Sequence, residues 1–412
     1  MKNKKILIAA PNYWTSPFQV GSHHYARIFA RNGWEVLFIS DPISSFHFLV
    51  QNKQQVYERK NIYRGHIKSG FKNIHIYVPF ALFTPNDKPF FRSAFVTNNW
   101  QRFTVPDIFK YLGKIDFSSV DVIWFDSLIQ SFLIDKINYK KSIFRVSDKL
   151  EAFKKISSNI SILEKKLLEK IDIIIYTAKT LKDYIKRFEE KSFYIPNGVD
   201  FQHFKNAEKK IPDDLKEIPR PRAIYVGAID EWFAQDYLIS VARKCKNFSF
   251  ILIGTPNIDV SKIKREQNIY LLGRKSYSEI PSYIFNSDVG IITFDINHPV
   301  VNTVNPIKLY EYMACGIPVV TTKWKELELI NSPAYLASNV DDFIYGLNYS
   351  LANFDKKKGK NKIIYKSEKQ MKRKERLEEG NLIREELVNF AQANSWEKRF
   401  EEIIKILNQQ IN

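Results

Sequence analysis

Residues 305–322 read NPIKLYEYMACGIPVVTT, with Lys308 and Glu311 three apart. Asn305 is a good N-cap and Pro306 a good first helical residue, so the run predicts a helix over 306–314. Gly316 and Pro318 stop it, and the following PVV opens a buried strand. A lysine in the first turn faces the positive end of the helix dipole, a conflict worth about 0.3–1 kcal/mol. An anion held between Lys308 and the free backbone N–H groups turns that conflict into a phosphate site. Glu311 lies one turn on, on the same face. The plain alternative is a surface Lys–Glu pair on an ordinary helix.

Other candidates sit where strands should end. Asp148 closes a strand, where a carboxylate can take a proton from an attacking hydroxyl; Asp148-x-x-Glu151 also reads as a capping box opening a helix. Asp126, ending VIWFD, is a second candidate base. His23 and His24 follow Gly21 at the start of the first helix, placed to orient an acceptor phosphate or hydroxyl, or else simply satisfied histidines. Gly227 would let backbone approach a diphosphate, or only form a turn. No G-x-G-x-x-G follows the first strand, where Pro11-Asn12-Tyr13 stands, and there is no Walker A sequence. The chain has no D-x-D either, so the usual metal clamp for a nucleotide diphosphate is missing and Lys308 is left to neutralise one. No metal and no cofactor are expected.

The elements that must position these residues alternate along the chain. Strand-like runs fall at 5–11, 35–40, 74–80, 120–126, 142–148, 171–178 and 192–198, then at 223–228, 248–255, 268–273, 288–294 and 317–322, with helical patterns between them. Short, continuous, β-branched runs suit parallel strands covered on both faces. With 412 residues, two domains are expected. The charged, proline-punctuated stretch 205–222 reads as their linker. The division is therefore 1–204, the linker 205–222, a second domain over 223–380, and a C-terminal helix in 381–412 crossing back to the first domain. The fold class is α/β: two doubly wound Rossmann-like domains facing each other across a cleft.

Composition narrows the partners. The net charge is +18, and 355–376 alone carries eleven basic and three acidic residues. Charge of this kind suits an anionic membrane or acidic small molecules; without a zinc knuckle, RRM signature or helix-turn-helix pattern, nucleic acid is not expected. The stretch 84–106 is long, aromatic and basic, and together with 355–376 could hold the protein on anionic lipid. A solvated charge run is the plainer reading of 355–376. The first apolar run, of six residues, is too short for a signal core or a membrane span. Two cysteines, Cys245 and Cys315, in no metal spacing, argue for a reducing compartment.

NPIKLYEYMACGIPVVTT resembles the donor-site signature of GT-B glycosyltransferases. YIPNGVDFQHF (194–204), VGAIDEW (226–232) and NSWEKRFEEI (394–403) are similar to further segments of that group. SPFQVGSHHYARIFARNGWEVLFIS (16–40) and FRVSDKLEAF (144–153) most resemble the xanthan glucuronosyltransferase family. The resemblance implies that Lys308 contacts donor phosphate or a sugar carboxylate and that Glu311 accepts hydrogen bonds from ribose hydroxyls. It places Tyr283 and Tyr310 near the donor, although core packing explains both, and it puts the family's catalytic aspartate at Asp148. The expected reaction is transfer, by inversion, from a UDP-sugar to a polyprenyl-diphosphate-linked saccharide in capsule or exopolysaccharide synthesis. The expected location is the cytoplasm, peripheral at the inner face of the membrane. A nucleotide-sugar 2-epimerase shares this architecture, and a nucleic-acid-binding protein is the reading from charge alone.

Overall fold

The computed structural model describes residues 3–50, 53–86, 88–150, 158–354 and 384–409. Glu151, and with it the capping box, and the basic segment 355–376 lie outside the described residues. The chain forms two compact units, Met1–Pro196 with Arg399–Asn412, and Asn197–Lys398.

In the first unit seven parallel strands run β1 (Lys5–Ala10), β2 (Glu35–Ser40), β3 (Ile74–Tyr77), β4 (Ser119–Phe125), β5 (Asn138–Val146), β6 (Ile173–Tyr176) and β7 (Ser192–Tyr194) along the chain. Their order in the sheet is β3-β2-β1-β4-β5-β6-β7. The chain thus works outward from β1 on one side, then returns to its other side at β4. Ile6, Leu7 and Ile8 have no exposed surface, as expected of a central strand with both faces covered. β5 begins earlier than its apolar run, because Asn138–Lys141 is polar and pairs at the sheet's rim. The stretch 84–106 is not structureless. It holds a helix, Ala94–Asn99, capped by Ser93, and a 3-10 turn, Trp100–Phe103, with Trp100 fully buried.

The second unit repeats the plan with β8 (Arg222–Val226), β9 (Ser249–Ile253), β10 (Ile269–Gly273), β11 (Val289–Ile292), β12 (Val319–Thr322) and β13 (Tyr335–Ala337), ordered β10-β9-β8-β11-β12-β13. β13 is only three residues long and carries no pattern by which sequence could find it. The stretch 205–222 lies within this unit, where Leu215 and Ile218 are buried in the core despite the charges around them. Helical residues 384–393 pack Leu387 and Ala391 into the same core. The closing helix, Trp396–Gln409, sends its later residues to the first unit, where the Phe400 ring meets that of Phe29 at 5.0 Å. No described helix is long and apolar enough to cross a membrane.

Candidate active site

Both sheets reverse direction beside their first strand, and open α/β sheets bind ligands at the carboxyl ends of strands at such a switch point. In the second unit this point lies between β8 and β11. The helix predicted over 306–314 runs Ile307–Ala314, with Pro306 rather than Asn305 in the capping position. Asn305 is instead held by side chains: its side-chain oxygen accepts from the Tyr310 hydroxyl of the same helix at 3.1 Å, and its carbonyl from Asn197 Nδ2 at 2.8 Å. Tyr312, buried on the same helix, accepts a hydrogen bond from the Val226 backbone N–H at 2.8 Å. That bond ties the helix to the end of β8. Lys308 lies four residues before Tyr312 and so points along the same face.

The Lys308 ammonium stands 5.3 Å from the centre of the Tyr225 ring and 4.8 Å from that of Phe294. These rings belong to β8 and to the residues just after β11, so the cation sits at the switch point. Gly227, one residue past β8, has φ +149°, and a Cβ there would stand 3.1 Å from Lys308 Cε. Glycine is therefore favoured by the backbone, and a side chain there would crowd the lysine. Lys308 and Glu311 are half-buried, and among the described residues neither side chain makes a hydrogen bond or an ion pair. Burial pushes the lysine down to about 8, with Glu311 opposing the shift. Burial likewise pushes Glu311 up to about 7 against the pull of Lys308. Partly buried charges normally have partners, because stripping their water is costly. Two desolvated, unpartnered groups of opposite charge suit a ligand with an anionic part and hydroxyls.

The other donor candidates are placed differently. Tyr310 is 1% exposed and stacks on Phe390 at 6.0 Å. Tyr283, also buried, donates to Asp214 Oδ1 at 2.7 Å, while Lys275 pairs with Asp214 Oδ2 and lies over the tyrosine ring. Both tyrosines are thus held by core contacts of their own. Tyr225 and Phe294, which frame Lys308, had no signal in the sequence beyond aromatic character at strand ends.

In the first unit the parallel strands bring several polar residues to one edge. Asp148, two residues past β5, is half-buried. Burial raises its carboxyl above the usual range, against a hydrogen bond from the Ser147 side chain and the Arg145 charge. A carboxylate raised in this way is a stronger base than a free one. Asp126 is fully engaged: Oδ1 accepts from Trp124 Nε1 at 2.8 Å and Arg145 Nε at 3.0 Å, and Oδ2 from Arg145 Nη2 at 2.9 Å. Gly21 makes room for that ion pair, since a Cβ there would lie 2.7 Å from Arg145 Cζ. His23 has no exposed surface; its Nδ1 accepts from the Val20 N–H at 3.3 Å, which leaves Nε2–H to donate to the Tyr13 carbonyl at 3.0 Å. Burial pushes it down to about 4, so it is a neutral residue closing the helix start. His24 is buried beside it, 3% exposed. The same edge carries a carboxylate that the sequence does not single out, Asp41, just past β2.

Each unit matches a different family. The glucuronosyltransferase GumK N-terminal domain family matches residues 7–177, and the glycosyl transferases group 1 family matches residues 220–353. A putative teichuronic acid biosynthesis glycosyltransferase, TuaH of Bacillus subtilis (strain 168), is 26% identical over 180 residues, 41% of this chain and 45% of that protein. The match therefore spans less than half of that relative's length. Sucrose-phosphate synthase from Thermosynechococcus elongatus superimposes with a TM-score of 0.68 at 13% identity, covering 99% of both chains. Anabaena HepE, solved with UDP and glucose, gives a TM-score of 0.63 at 13% identity over 99% of this chain and 100% of its own. At such identities these structures speak for the fold alone. With a related family on each of two Rossmann-like units, the chain is a GT-B-fold glycosyltransferase related to the GumK-like glucuronosyltransferases in its first domain and to the group 1 glycosyl transferases in its second.

Proposed function

We propose that the protein transfers a sugar from a UDP-sugar to a saccharide carried on a polyprenyl diphosphate, in the synthesis of a cell-surface polysaccharide. The observation that carries this reading is Lys308: a desolvated ammonium with no hydrogen bond or ion pair among the described residues, beside Gly227 at the second sheet's switch point. In this role it meets the diphosphate as a point charge, with no metal required, and Glu311 accepts hydrogen bonds from the ribose diol. The UDP-bound structures of similar fold and the teichuronic acid relative support the donor class and the pathway class.

Asp148 is the base of an inverting transfer. Its carboxylate takes the proton of the acceptor hydroxyl as that oxygen bonds to the anomeric carbon. The bond from that carbon to the UDP oxygen breaks, and the charge developing on the diphosphate falls to Lys308.

The acceptor's lipid calls for a membrane surface, and the first unit has a face that suits one. Phe46, Phe48, Leu49, Leu82, Phe90 and Phe95 are all more than 40% exposed. Ring contacts join Phe46 to Phe91 and Phe83 to both Phe90 and Phe103. Lys60 lies over the Phe48 ring at 5.4 Å, and Lys88, Arg92 and Arg102 punctuate the same stretch. Aromatic groups mixed with cations fit the boundary of an anionic bilayer, which supports a peripheral position at the cytoplasmic face of the membrane. The decisive experiment is calorimetric titration of UDP into the wild type and Lys308→Ala. A fall of at least tenfold in affinity is expected, and equal affinities would overturn the reading.

A further inference from the structure

The first sheet's switch point, between β1 and β4, holds a carboxylate that no step above uses. Asp41 follows β2, and its backbone N–H donates to the Ala10 carbonyl at the end of β1. Ser127, from the far side of β1, reaches across to donate its hydroxyl to Asp41 Oδ1 at 2.5 Å. Gln130 Nε2 donates to the same oxygen at 3.0 Å, and also to the carbonyls of Ala10 and Ile39 at 3.2 and 3.3 Å. Those three acceptors fix the amide's orientation. They leave Gln130 Oε1 buried, with no hydrogen-bond partner among the described residues.

Asp126, on the same edge, shows what a structural carboxylate looks like here: both oxygens are taken and a guanidinium neutralises it. Asp41 differs on each count. Oδ2 makes no hydrogen bond among the described residues, and the residue is half-buried, with part of its surface open to solvent. Arg59, the nearest cation, gives Nη2 to the main-chain carbonyls of Asp41 and Pro42, at 2.8 Å each, and forms no ion pair with the carboxylate. One oxygen is therefore clamped by two donors while the other keeps its lone pairs. That is the preorganised half of a hydrogen bond to an incoming group. The group must be a neutral donor. A single carboxylate is too few ligands for a divalent cation, and among the described residues no cluster of three His, Cys, Asp or Glu could hold a metal.

We propose that Asp41 is an acceptor-binding residue whose Oδ2 accepts a hydrogen bond from a hydroxyl of the incoming saccharide. This rests on the glycosyl-transfer reading above. Burial pushes the Asp41 carboxyl up to about 6, against the pull of Ser127, Gln130 and Arg59, so it is charged and desolvated at neutral pH.

The test is Asp41→Asn, which can keep an oxygen toward Ser127 and Gln130 while turning the outward group into a donor. The probes are UDP-glucose and UDP-glucuronic acid as donors, with octyl glycosides of glucose, galactose, mannose and N-acetylglucosamine as soluble acceptors. For any pair the wild type uses, KM for the acceptor should rise at least tenfold. UDP affinity, acceptor-independent donor hydrolysis and Tm should stay as in the wild type. Ser127→Ala, which unclamps Oδ1, should raise the acceptor KM by a smaller factor. An acceptor KM within twofold of the wild type in Asp41→Asn overturns the proposal, as does a loss of Tm and donor hydrolysis together, which marks a structural residue. A wild type that binds UDP yet glycosylates none of these acceptors counts against the transfer reading on which the proposal rests.

Discussion

The two switch points share a scaffold and carry opposite charge. In the second domain the ends of β8 and β11 present two aromatic rings and a glycine, and the next helix lays an unpartnered lysine over them. In the first domain the ends of β2, β4 and β5 present carboxylates: Asp41, Asp126 and Asp148. Doubly wound sheets guarantee a crevice in each, but the chemistry depends on which residue types close the strands. A cation suits a leaving diphosphate, and carboxylates suit hydroxyls that must be held and deprotonated. The first domain further divides its acids. Asp126 is spent on Arg145, whereas Asp148 and Asp41 keep raised carboxyls.

Removing the proposed base tests this division most severely. Asp148→Asn should lower turnover by about 10²–10⁴-fold, with Tm and UDP affinity unchanged. Turnover within tenfold of the wild type would assign the proton transfer elsewhere. Next comes the structural pair. Gly21→Ala puts a methyl 2.7 Å from the Arg145 guanidinium, which must shift and so strains its buried pair with Asp126. Breaking a buried pair costs about 3–5 kcal/mol, to be read from the urea midpoint. An unaltered midpoint would show that the guanidinium can shift without loss.

His23 offers a third measurement, on stability against pH. Its folded pKa of about 4 lies below the unfolded value of 6.5, so between these the unfolded chain binds the extra proton. Stability should therefore fall as pH drops from 6.5 to 4, by roughly 3 kcal/mol from this group. In His23→Gln the acid slope should flatten. An unchanged slope would return His23 to the list of accessible, acceptor-facing groups. The smallest effect concerns the cation. With Lys308 pushed down to about 8, UDP affinity in the wild type should decline above that pH, by at most about tenfold per pH unit. Lys308→Ala should show no such decline. A flat wild-type profile between pH 7 and 9 would mean that the ammonium is not what the diphosphate meets.

Much of this was legible in the sequence, for definite reasons. The twelve strand-like runs are continuous apolar segments that a buried parallel sheet requires, and all twelve are strands in the structure. The three-residue β13 and the polar start of β5 escaped, because rim positions are not selected for hydrophobicity. Lys308 could be noticed because a cation in a first helical turn opposes the dipole. Asp41 could not, since an aspartate after a strand is an ordinary turn residue until its partners are known. Likewise nothing local tells that His23 is sealed in the core while Asp148 keeps part of its surface open.

The sequence by itself therefore determined the class of fold, the two repeated α/β units and the helix that carries Lys308, since these follow from periodicity and turn chemistry along a few neighbouring residues. Tertiary structure alone decided which charges are neutralised and which are left for a ligand. Arg145 finds Asp126 from 19 residues away and Ser127 finds Asp41 from 86. Such pairings depend on how strands are ordered in the sheet, which no local pattern encodes.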